Sequence, residues 1–585
     1  MRIERHQVGE AALSSALDNF AERVGGEVDL MQSDESPCWG WELVAESFLD
    51  YLGARSVADP ELGGKDARLA CESAAAAALG SLALRVGRGG HPQVFIEYTG
   101  SGVSYREGRP AAEPGGVAAR CWLDTFFLAF VAGLTDRYGE LFVAAAPALR
   151  GNGNRAELAL VHALLAYVYG HVERREAWRD ERQEDGRLSA QDRVAVIDGI
   201  VAGLGEVRGG SLDTLRALAA GDRMGYERAL AVQLAAYRER QAVGRPAPRT
   251  LLPFEAIALA GMARRWNAWP AGVDSPYLPA GPVGGFPSPV PRVAGYGRAK
   301  RADALAELAA GPVRVERTPH PFAAVPGRAV YERLAERELA KFRNPEERPL
   351  HVARSLTELM RRQVMVFLER SVNDPDGRDP RQREALRIGA EAGAGAFRLA
   401  RSGPGSEHGI TVGGSTRVLP VCPGAYGPGA GHWKRAVALA LIAGGREQLA
   451  DCVLVAPEFF TEGCYFGPVD AYGAALHDYL RGVDPVPALE QAFAVCAQQG
   501  RGLYLAPPVG LLSQLVEGDR EGFALALVDA LEEHREHWTV GDLPGDPDAL
   551  VDLDILALAC HADRMGWPVP VSSPYLPKGL FRPSS

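Results

Sequence analysis

Apolar residues recur three and four positions apart through most of the chain, which is the spacing of one buried face of an α-helix. One such stripe comprises Leu158, Val161, Leu164, Leu165 and Val168, and a weaker stripe comprises Ala195, Ile197, Ile200 and Val201. Residues 211–222 and 223–240 predict two antiparallel helices that meet at Gly221 and Asp222, with Ser211 as the N-cap and Gly221 as the helix stop.

Two short segments show the alternation that is typical of strands. Residues 91–108 predict a hairpin around Gly100, Ser101 and Gly102. Residues 409–421, GITVGGSTRVLPV, predict the same element later in the chain. The predicted fold class is therefore all-α, in two copies of a helical domain that each accommodate one small β-hairpin.

The two copies are evident from seven pairs of similar segments that occur in the same order. The C-terminal pairs are DSPYLPAG (274–281) with SSPYLPKG (572–579), FEAIALAGMARRWNAWP (254–270) with LDILALACHADRMGWP (553–568), and GDRMGYERAL (from 221) with GDREGFALAL (from 518). The N-terminal pairs are MRIER (from 1) with VRVER (from 313), ARSVADP (54–60) with ERSVNDP (369–375), ARLACESAAAAAL (from 67) with ALRIGAEAGAGAF (from 385), and CWLDTFF (from 121) with HWKRAVA (from 432).

Such ordered self-similarity indicates a tandem duplication. We place the first domain at residues 1–280 and the second at residues 313–585, with residues 281–312 as an exposed, proline- and glycine-rich linker. The pairing puts Trp122 opposite Trp433, and we match Glu72 with Glu391 in the alanine-rich helix. In each SPYLP segment the prolines prevent a continuous helix, so Tyr277 with Leu278, and Tyr575 with Leu576, are predicted to fold back across the helices as a terminal clasp.

Composition limits the possible partners. The chain of 585 residues is 47% hydrophobic with a net charge of -11, so it can bury a large core and shows no basic excess for binding nucleic acid or a membrane surface. The opening MRIERHQVGEAALSSAL lacks the apolar core of a signal peptide, and the most apolar stretch, residues 122–134, is too short to span a bilayer. The eight cysteines form no CxxC pair, so a cytoplasmic protein without a disulfide framework is expected.

Candidate metal or phosphate chemistry is weak. His534 and His537 lie three positions apart, near Cys560 and His561, and zinc uses such spacing. The first copy has AAYRERQ and GMA at the corresponding places, which favours a charged, solvated helix face. Residues 423–434, PGAYGPGAGHWK, lack the GK[ST] ending of a phosphate loop, which favours a flexible loop before a helix.

Catalytic candidates are also outweighed by structural interpretations. Glu72 and Glu391 are of a type that serves in acid–base chemistry, but a helix-surface glutamate, or one that ties down a neighbouring turn, is the favoured interpretation. Trp122, Trp433, Trp269 and Trp567 are interpreted as packing anchors. We therefore assign no catalytic, cofactor-binding or metal-binding residue, expect no cofactor, and leave the partner-binding residues unassigned.

The shared segments resemble a known family. A W-x-x-[AT] helix, a GDxxGF-type helix pair, an apolar helix that ends in Trp-Pro and the terminal SPYLP are similar to the immunity 49 family, which comprises mostly helical immunity proteins of bacterial polymorphic-toxin systems. The resemblance covers nearly all of each half, although the family normally carries one copy. It implies a non-enzymatic cytoplasmic protein that binds and neutralises a cognate protein toxin stoichiometrically.

Two alternatives remain. The helix pair at the GD turn also resembles a tetratricopeptide-like hairpin, which would suit a helical protein-interaction scaffold, although no 34-residue period runs through the chain. The other alternative is an enzyme of specialised metabolism with an unrecognised helical site.

Overall fold

The computed structural model describes residues 2–32, 38–87, 93–105, 116–150, 154–171, 189–204, 210–286, 290–320, 322, 330–344, 352–421, 427–461, 466–499, 505–541 and 543–581. The chain divides into two compact units, Met1–Ser288 and Pro289–Ser585. We call them the first and the second unit.

The first unit is built from helices, with short strands between them. Its elements are α1 (Glu10–Leu17), α2 (Phe20–Leu30), α3 (Gly40–Ala58), α4 (Lys65–Val86), β1 (Gln93–Ile96), β2 (Ser101–Ser104), β3 (Val117–Ala118), α5 (Ala119–Val131), α6 (Gly139–Ala145), β4 (Leu149–Arg150), α7 (Arg155–Tyr169), α8 (Ala190–Leu204), α9 (Gly210–Ala219), α10 (Arg223–Gln241), α11 (Phe254–Asn267) and α12 (Ala280–Gly284). β1 and β2 are antiparallel, and β3 and β4 are parallel.

The second unit contains α13 (Ala302–Ala310), β5 (Val313–Arg314), α14 (Val330–Arg343), α15 (Val352–Ser371), α16 (Pro380–Ala400), β6 (Glu407–Val412), β7 (Ser415–Pro420), α17 (Ala430–Ala443), α18 (Arg446–Val453), α19 (Pro468–Arg481), α20 (Val486–Gln499), α21 (Val509–Glu517), α22 (Arg520–His537), α23 (Leu553–Arg564) and β8 (Val571–Ser572). β6 and β7 are antiparallel, and β5 and β8 are parallel. The series from α15 to α23 repeats the series from α3 to α11, including the hairpin after the second helix. The predicted all-α fold in tandem copies is confirmed.

The GD turn joins the same two helices in each unit. Gly221 has φ 68° and Gly518 has φ 76°, a left-handed conformation that glycine adopts without steric cost. The next residue caps the following helix, because the carboxylates of Asp222 and Asp519 each accept a backbone N–H at 2.9 Å. Ser211 is not the predicted N-cap. It lies inside α9, and its hydroxyl accepts a hydrogen bond from Gln233 Nε2 at 2.8 Å.

Both predicted hairpins form, although residues 91–92 and 106–108 lie outside the described residues. The first hairpin turns at residues 97–100 rather than around 100–102, since Ser101 and Gly102 lie in β2. β6 and β7 turn at Gly413 and Gly414, both with positive φ, as the tightest hairpin turns require. Each hairpin packs against a glycine of the long helix that precedes it, which is α4 in the first unit and α16 in the second. A Cβ on Gly80 would lie 2.5 Å from the Val94 side chain, and a Cβ on Gly395 would lie 2.5 Å from that of Ile410.

Tryptophans anchor both cores. Trp122 on α5 and Trp433 on α17 are fully buried, and each indole Nε1 donates to a backbone carbonyl of the next helix, at 3.1 Å and 2.9 Å respectively. α4 is long and apolar enough to cross a membrane by length and composition alone, unlike residues 122–134, but 67% of its most apolar window is buried in the core. It serves here as the central helix of a folded domain.

The SPYLP segments form the predicted clasp. Tyr277 is 0% exposed, and its hydroxyl accepts the backbone N–H of His6 at 3.0 Å. Tyr575 is 1% exposed, and its hydroxyl accepts the backbone N–H of Thr318 at 3.4 Å. The N-terminal segment of each copy lies alongside as well, since Ile3 N donates to the Asp274 carbonyl and β5 pairs with β8. The clasp therefore joins the beginning and the end of each copy.

The segment predicted as an exposed linker is packed in part, although many of its described residues are exposed. Gly281, Pro282 and Val283 in α12 are buried in the first unit. In the second unit Val293 is 7% exposed, and the guanidinium of Arg292 contacts Asp529 at 3.0 Å. Proline and glycine favour turns as well as open linkers, and composition alone does not distinguish the two.

Candidate functional site

The histidine pair on α22 is buried rather than solvated, contrary to the favoured interpretation. His534 is 1% exposed and His537 is 3% exposed. His534 Nε2 lies 3.3 Å from the carbonyl oxygen of Ala549, and its Nδ1 accepts the indole N–H of Trp538 at 3.1 Å. Burial lowers the pKa of His534, so the ring is neutral at pH 7.

The fold does not gather the other metal candidates around this pair. Cys560 is buried beneath the C-terminal residues, and His561 Nε2 lies 3.1 Å from the hydroxyl of Tyr479. Within the described ranges, no three His, Cys, Asp or Glu side chains are grouped closely enough to hold a metal ion. The remaining glycine-loop residues 427–429 precede α17, as expected of a loop before a helix, and residues 423–426 lie outside the described residues.

The two candidate glutamates are not equivalent. Gly80 and Gly395 make the same contact in each copy and lie 315 positions apart, whereas Glu72 and Glu391 lie 319 positions apart. Glu391 therefore corresponds to Ala76, one helical turn away, and the sequence pairing is wrong. Glu391 accepts the backbone N–H of Gly413 at 2.8 Å and so ties down the hairpin turn, as the favoured interpretation has it.

A cleft of about 910 Å³ opens on the first unit. Its walls come from α3, the beginning of α5, the pair α9 and α10, and the segment 249–256 that leads into α11. We call it the first-unit cleft. Its volume lies in the range of ligand-binding clefts. The lining is mixed: charged groups alternate with apolar side chains such as Leu49, Val232 and Phe254.

Carboxylates and arginines are paired along this cleft. Arg120 donates to both oxygens of Asp124, at 3.0 Å and 2.6 Å, and lies 3.5 Å from Glu255. Arg249 likewise contacts Asp50 at 2.7 Å and Glu46 at 3.1 Å. Each arginine is thus shared between two carboxylates.

Asp124 shows the electrostatic effect of the concave wall. Its side chain keeps 56% of its accessible surface, so it is within reach of a partner. Burial nevertheless raises its pKa against the opposing effect of Arg120, because the cleft walls replace much of the surrounding water. Glu255 and Glu157 raise it further by repulsion. An additional cation at this point would therefore be favoured.

The second unit has a smaller cleft of about 180 Å³ at the corresponding place. It lies among the beginning of α17, the end of α22 and the segment 551–554 that leads into α23, and we call it the second-unit cleft. The ammonium of Lys434 contacts the carboxylate of Asp554. Burial works against this charge, but Asp554 and Asp552 raise the pKa of Lys434, so the ammonium is retained.

Matching contacts identify the two clefts as one duplicated site. Tyr237 and His534 each lie sixteen positions after their GD-turn glycine. The Tyr237 hydroxyl donates to the Thr250 carbonyl, before α11, at 2.8 Å. In the same way, His534 Nε2 lies 3.3 Å from the carbonyl oxygen of Ala549, before α23. Both rings pack edge-on against the clasp tyrosine, with ring centroids 5.6 Å and 4.9 Å apart. The clasp therefore supports the wall of each cleft.

Sequence reasoning missed this site, although a signal was present. The acidic second residue of the last apolar helix, Glu255 or Asp554, is shared by the two copies, as is a cation near the beginning of the tryptophan helix, Arg120 or Lys434. When Trp122 is aligned with Trp433, Arg120 lies opposite Gly431, three positions before Lys434. A residue-by-residue alignment of the two copies therefore does not pair the two cations.

The fold and the clefts define a duplicated helical domain in which a charged recess is held by a rigid core. A family model described as immunity protein 49 matches residues 60–281 and 374–580, more than two thirds of the chain. The chain therefore belongs to the immunity protein 49 family, in tandem duplication. Searches of curated proteins and of solved structures found no significant match.

Proposed function

We propose that this chain neutralises a cognate protein toxin of a polymorphic-toxin system by binding it stoichiometrically in the cytoplasm. The observation that carries the proposal is the family match over both units. An immunity protein that acts by binding needs a stable surface complementary to its toxin, with no requirement for a reaction centre.

The architecture supports binding. The charged groups of the first-unit cleft are held in fixed pairs on helices whose other faces are buried, so little side-chain freedom remains to be lost when a partner docks. Preorganised charges of this kind favour specificity and rapid association. The duplication also presents the same recess twice, in two forms with different volumes and different arrangements of charged groups.

Graded co-expression in a toxin-sensitive host tests the proposal. The full chain is expressed at increasing levels against a fixed level of the toxin domain encoded beside its gene, and both proteins are quantified. Growth should return when the chain reaches about one copy per toxin, as binding with a sub-nanomolar dissociation constant requires. A toxin of unrelated sequence with the same activity is the specificity control and should not be neutralised.

Two results would contradict the proposal. Rescue by a small fraction of one chain per toxin would indicate catalytic detoxification. Absence of rescue at an excess of folded chain would exclude that toxin as the partner, and the same absence for each adjacent toxin would favour the scaffold alternative.

A further inference from the structure

The two copies of the duplicated cleft differ in what fills them. In the second unit, Trp538 follows the end of α22 and lines the cleft, where its indole bonds to His534. The residues 505–507 close another side. The position of Trp538 corresponds to Gln241 at the end of α10, since each lies twenty positions after its GD-turn glycine. Gln241 is smaller than an indole and is not among the residues that line the first-unit cleft, which measures about 910 Å³ against about 180 Å³ for the second-unit cleft.

The arrangement of the charged groups also differs between the two clefts. In the second unit, Asp554 has the ammonium of Lys434 directly against it. Lys434 follows Trp433 directly, and the residue that follows Trp122 in the first unit is the apolar Leu123. Glu255, the counterpart of Asp554, lies 3.5 Å from Arg120, and that guanidinium is already engaged by both oxygens of Asp124. Glu255 therefore has a more distant cation than Asp554 has, and it shares that cation with Asp124.

The whole first-unit cleft carries an excess of negative charge. Four carboxylates and three arginines line it, which leaves one negative charge in excess: Glu42, Glu46, Asp124 and Glu255 against Arg120, Arg240 and Arg249. The guanidinium of Arg240 lies over the Tyr237 ring, 5.9 Å from its centroid. An apolar surface lies beside the charges, because Val232 lines the cleft and is 61% exposed. The recess is thus complementary to a cation that is accompanied by an apolar group.

We propose that the first-unit cleft grips the toxin, and that its occupant is a protruding loop of the toxin that presents a lysine or arginine beside an apolar or aromatic side chain. The inference rests on the proposed function. The excess carboxylate of the first-unit cleft indicates the cation of the occupant, and the Trp538 indole that lines the second-unit cleft indicates its apolar part. A volume of about 910 Å³ accommodates a few side chains. The second unit then acts as the self-filled copy.

Substitutions in the full-length chain test this assignment. Asp124→Lys reverses a charge in the cleft, and Val232→Trp fills its mouth without altering the core, because the valine is largely exposed. The matched controls are Glu239→Lys, an exposed carboxylate on α10 outside the cleft lining, and Val243→Trp, 84% exposed just after that helix. Circular dichroism melting shows that each variant is folded.

Binding is measured by calorimetry with the purified toxin domain encoded beside the gene. Both cleft variants should raise the dissociation constant at least about tenfold. Removing or reversing a desolvated charge in an interface commonly costs more binding free energy than that. Both controls should stay within about twofold of the unchanged chain. If the cleft variants bind as the unchanged chain does, the inference is overturned while the proposed function stands. If the unchanged chain does not bind, the proposed function fails and the inference fails with it.

A charge exchange tests the chemistry of the occupant. Lysines and arginines of the toxin are replaced singly by glutamate, and each variant is titrated with the unchanged chain and with Asp124→Lys. One replacement should weaken binding to the unchanged chain about tenfold or more and recover part of that loss with Asp124→Lys. If no basic residue of the toxin behaves in this way, the cationic occupant is excluded.

Discussion

The clasp tyrosines differ in one measurable respect. In the first unit the buried hydroxyl of Tyr277 accepts the His6 backbone N–H at 3.0 Å and lies 2.7 Å from His6 Nδ1. In the second unit the Tyr575 hydroxyl accepts the backbone N–H of Thr318 at 3.4 Å, which is longer than the usual range for such a bond. Tyr→Phe removes the hydroxyl and keeps the ring, so it isolates the contribution of this contact.

The two substitutions should have unequal costs. Tyr277→Phe leaves the buried N–H of His6 without its acceptor, which typically costs about 1–3 kcal/mol. Tyr575→Phe removes a longer bond from Thr318, which is only half-buried, and should cost about 0.5 kcal/mol or less. The first clasp is therefore expected to be the more sensitive of the two by at least about 0.5 kcal/mol.

Amide hydrogen exchange is the suitable assay, because a chain of two units does not unfold in one step. Exchange of the His6 amide should accelerate about 5- to 150-fold in Tyr277→Phe, since each 1.4 kcal/mol is a factor of ten. The Thr318 amide should accelerate by no more than about twofold to threefold in Tyr575→Phe. Equal acceleration at the two sites, or greater acceleration at Thr318, would refute this reasoning.

Two further predictions concern packing and pH. Gly80→Ala places a Cβ 2.5 Å from Val94 and should destabilise the first unit by about 1–3 kcal/mol. The control Gly25→Ala, in open space on α2, should be neutral or stabilising. Equal urea midpoints for the two variants would contradict this prediction. Burial lowers the pKa of His534 below 6.5, so the unfolded chain binds more protons in the window just below 6.5, and stability falls as the pH drops through it. In urea titrations His534→Gln should therefore lose less stability than the unchanged chain between about pH 7.5 and 5.5, and an equal or larger loss would count against the argument.

Architecture was predictable from sequence wherever local rules and the duplication agreed. The GD turn, the two hairpins and the burial of Trp122 and Trp433 depend on turn chemistry and on apolar spacing, and both are visible in the residues. The burial of His534 was not predictable, because the neighbouring charges in EEHREHW are those of a solvated helix. That ring is covered by the clasp and by the segment before α23, which are distant in sequence.

The cleft was not predictable for a related reason. Its carboxylates and arginines come from α3, α5, the segment before α11 and α11 itself, and no local motif unites them. The pairing of Glu72 with Glu391 is an error of another kind, because the similar sequences of two alanine-rich helices suggested that these residues are equivalent. The contacts of Gly80 with Val94 and of Gly395 with Ile410 exclude that equivalence. Low-complexity helices allow a shift of one turn with little change in pattern, so tertiary contacts have to determine the register.

The central claim, neutralisation by stoichiometric binding, is tested most directly by titrating toxin activity. A fixed amount of the purified toxin domain, well above the dissociation constant, is mixed with increasing amounts of the full chain, and residual activity is measured at once and after prolonged incubation. The account predicts a linear fall to zero at about one chain per toxin, unchanged by time, as tight binding requires. Loss of activity that continues with time at a small fraction of one chain per toxin would contradict it, as would full activity at a tenfold excess of chain.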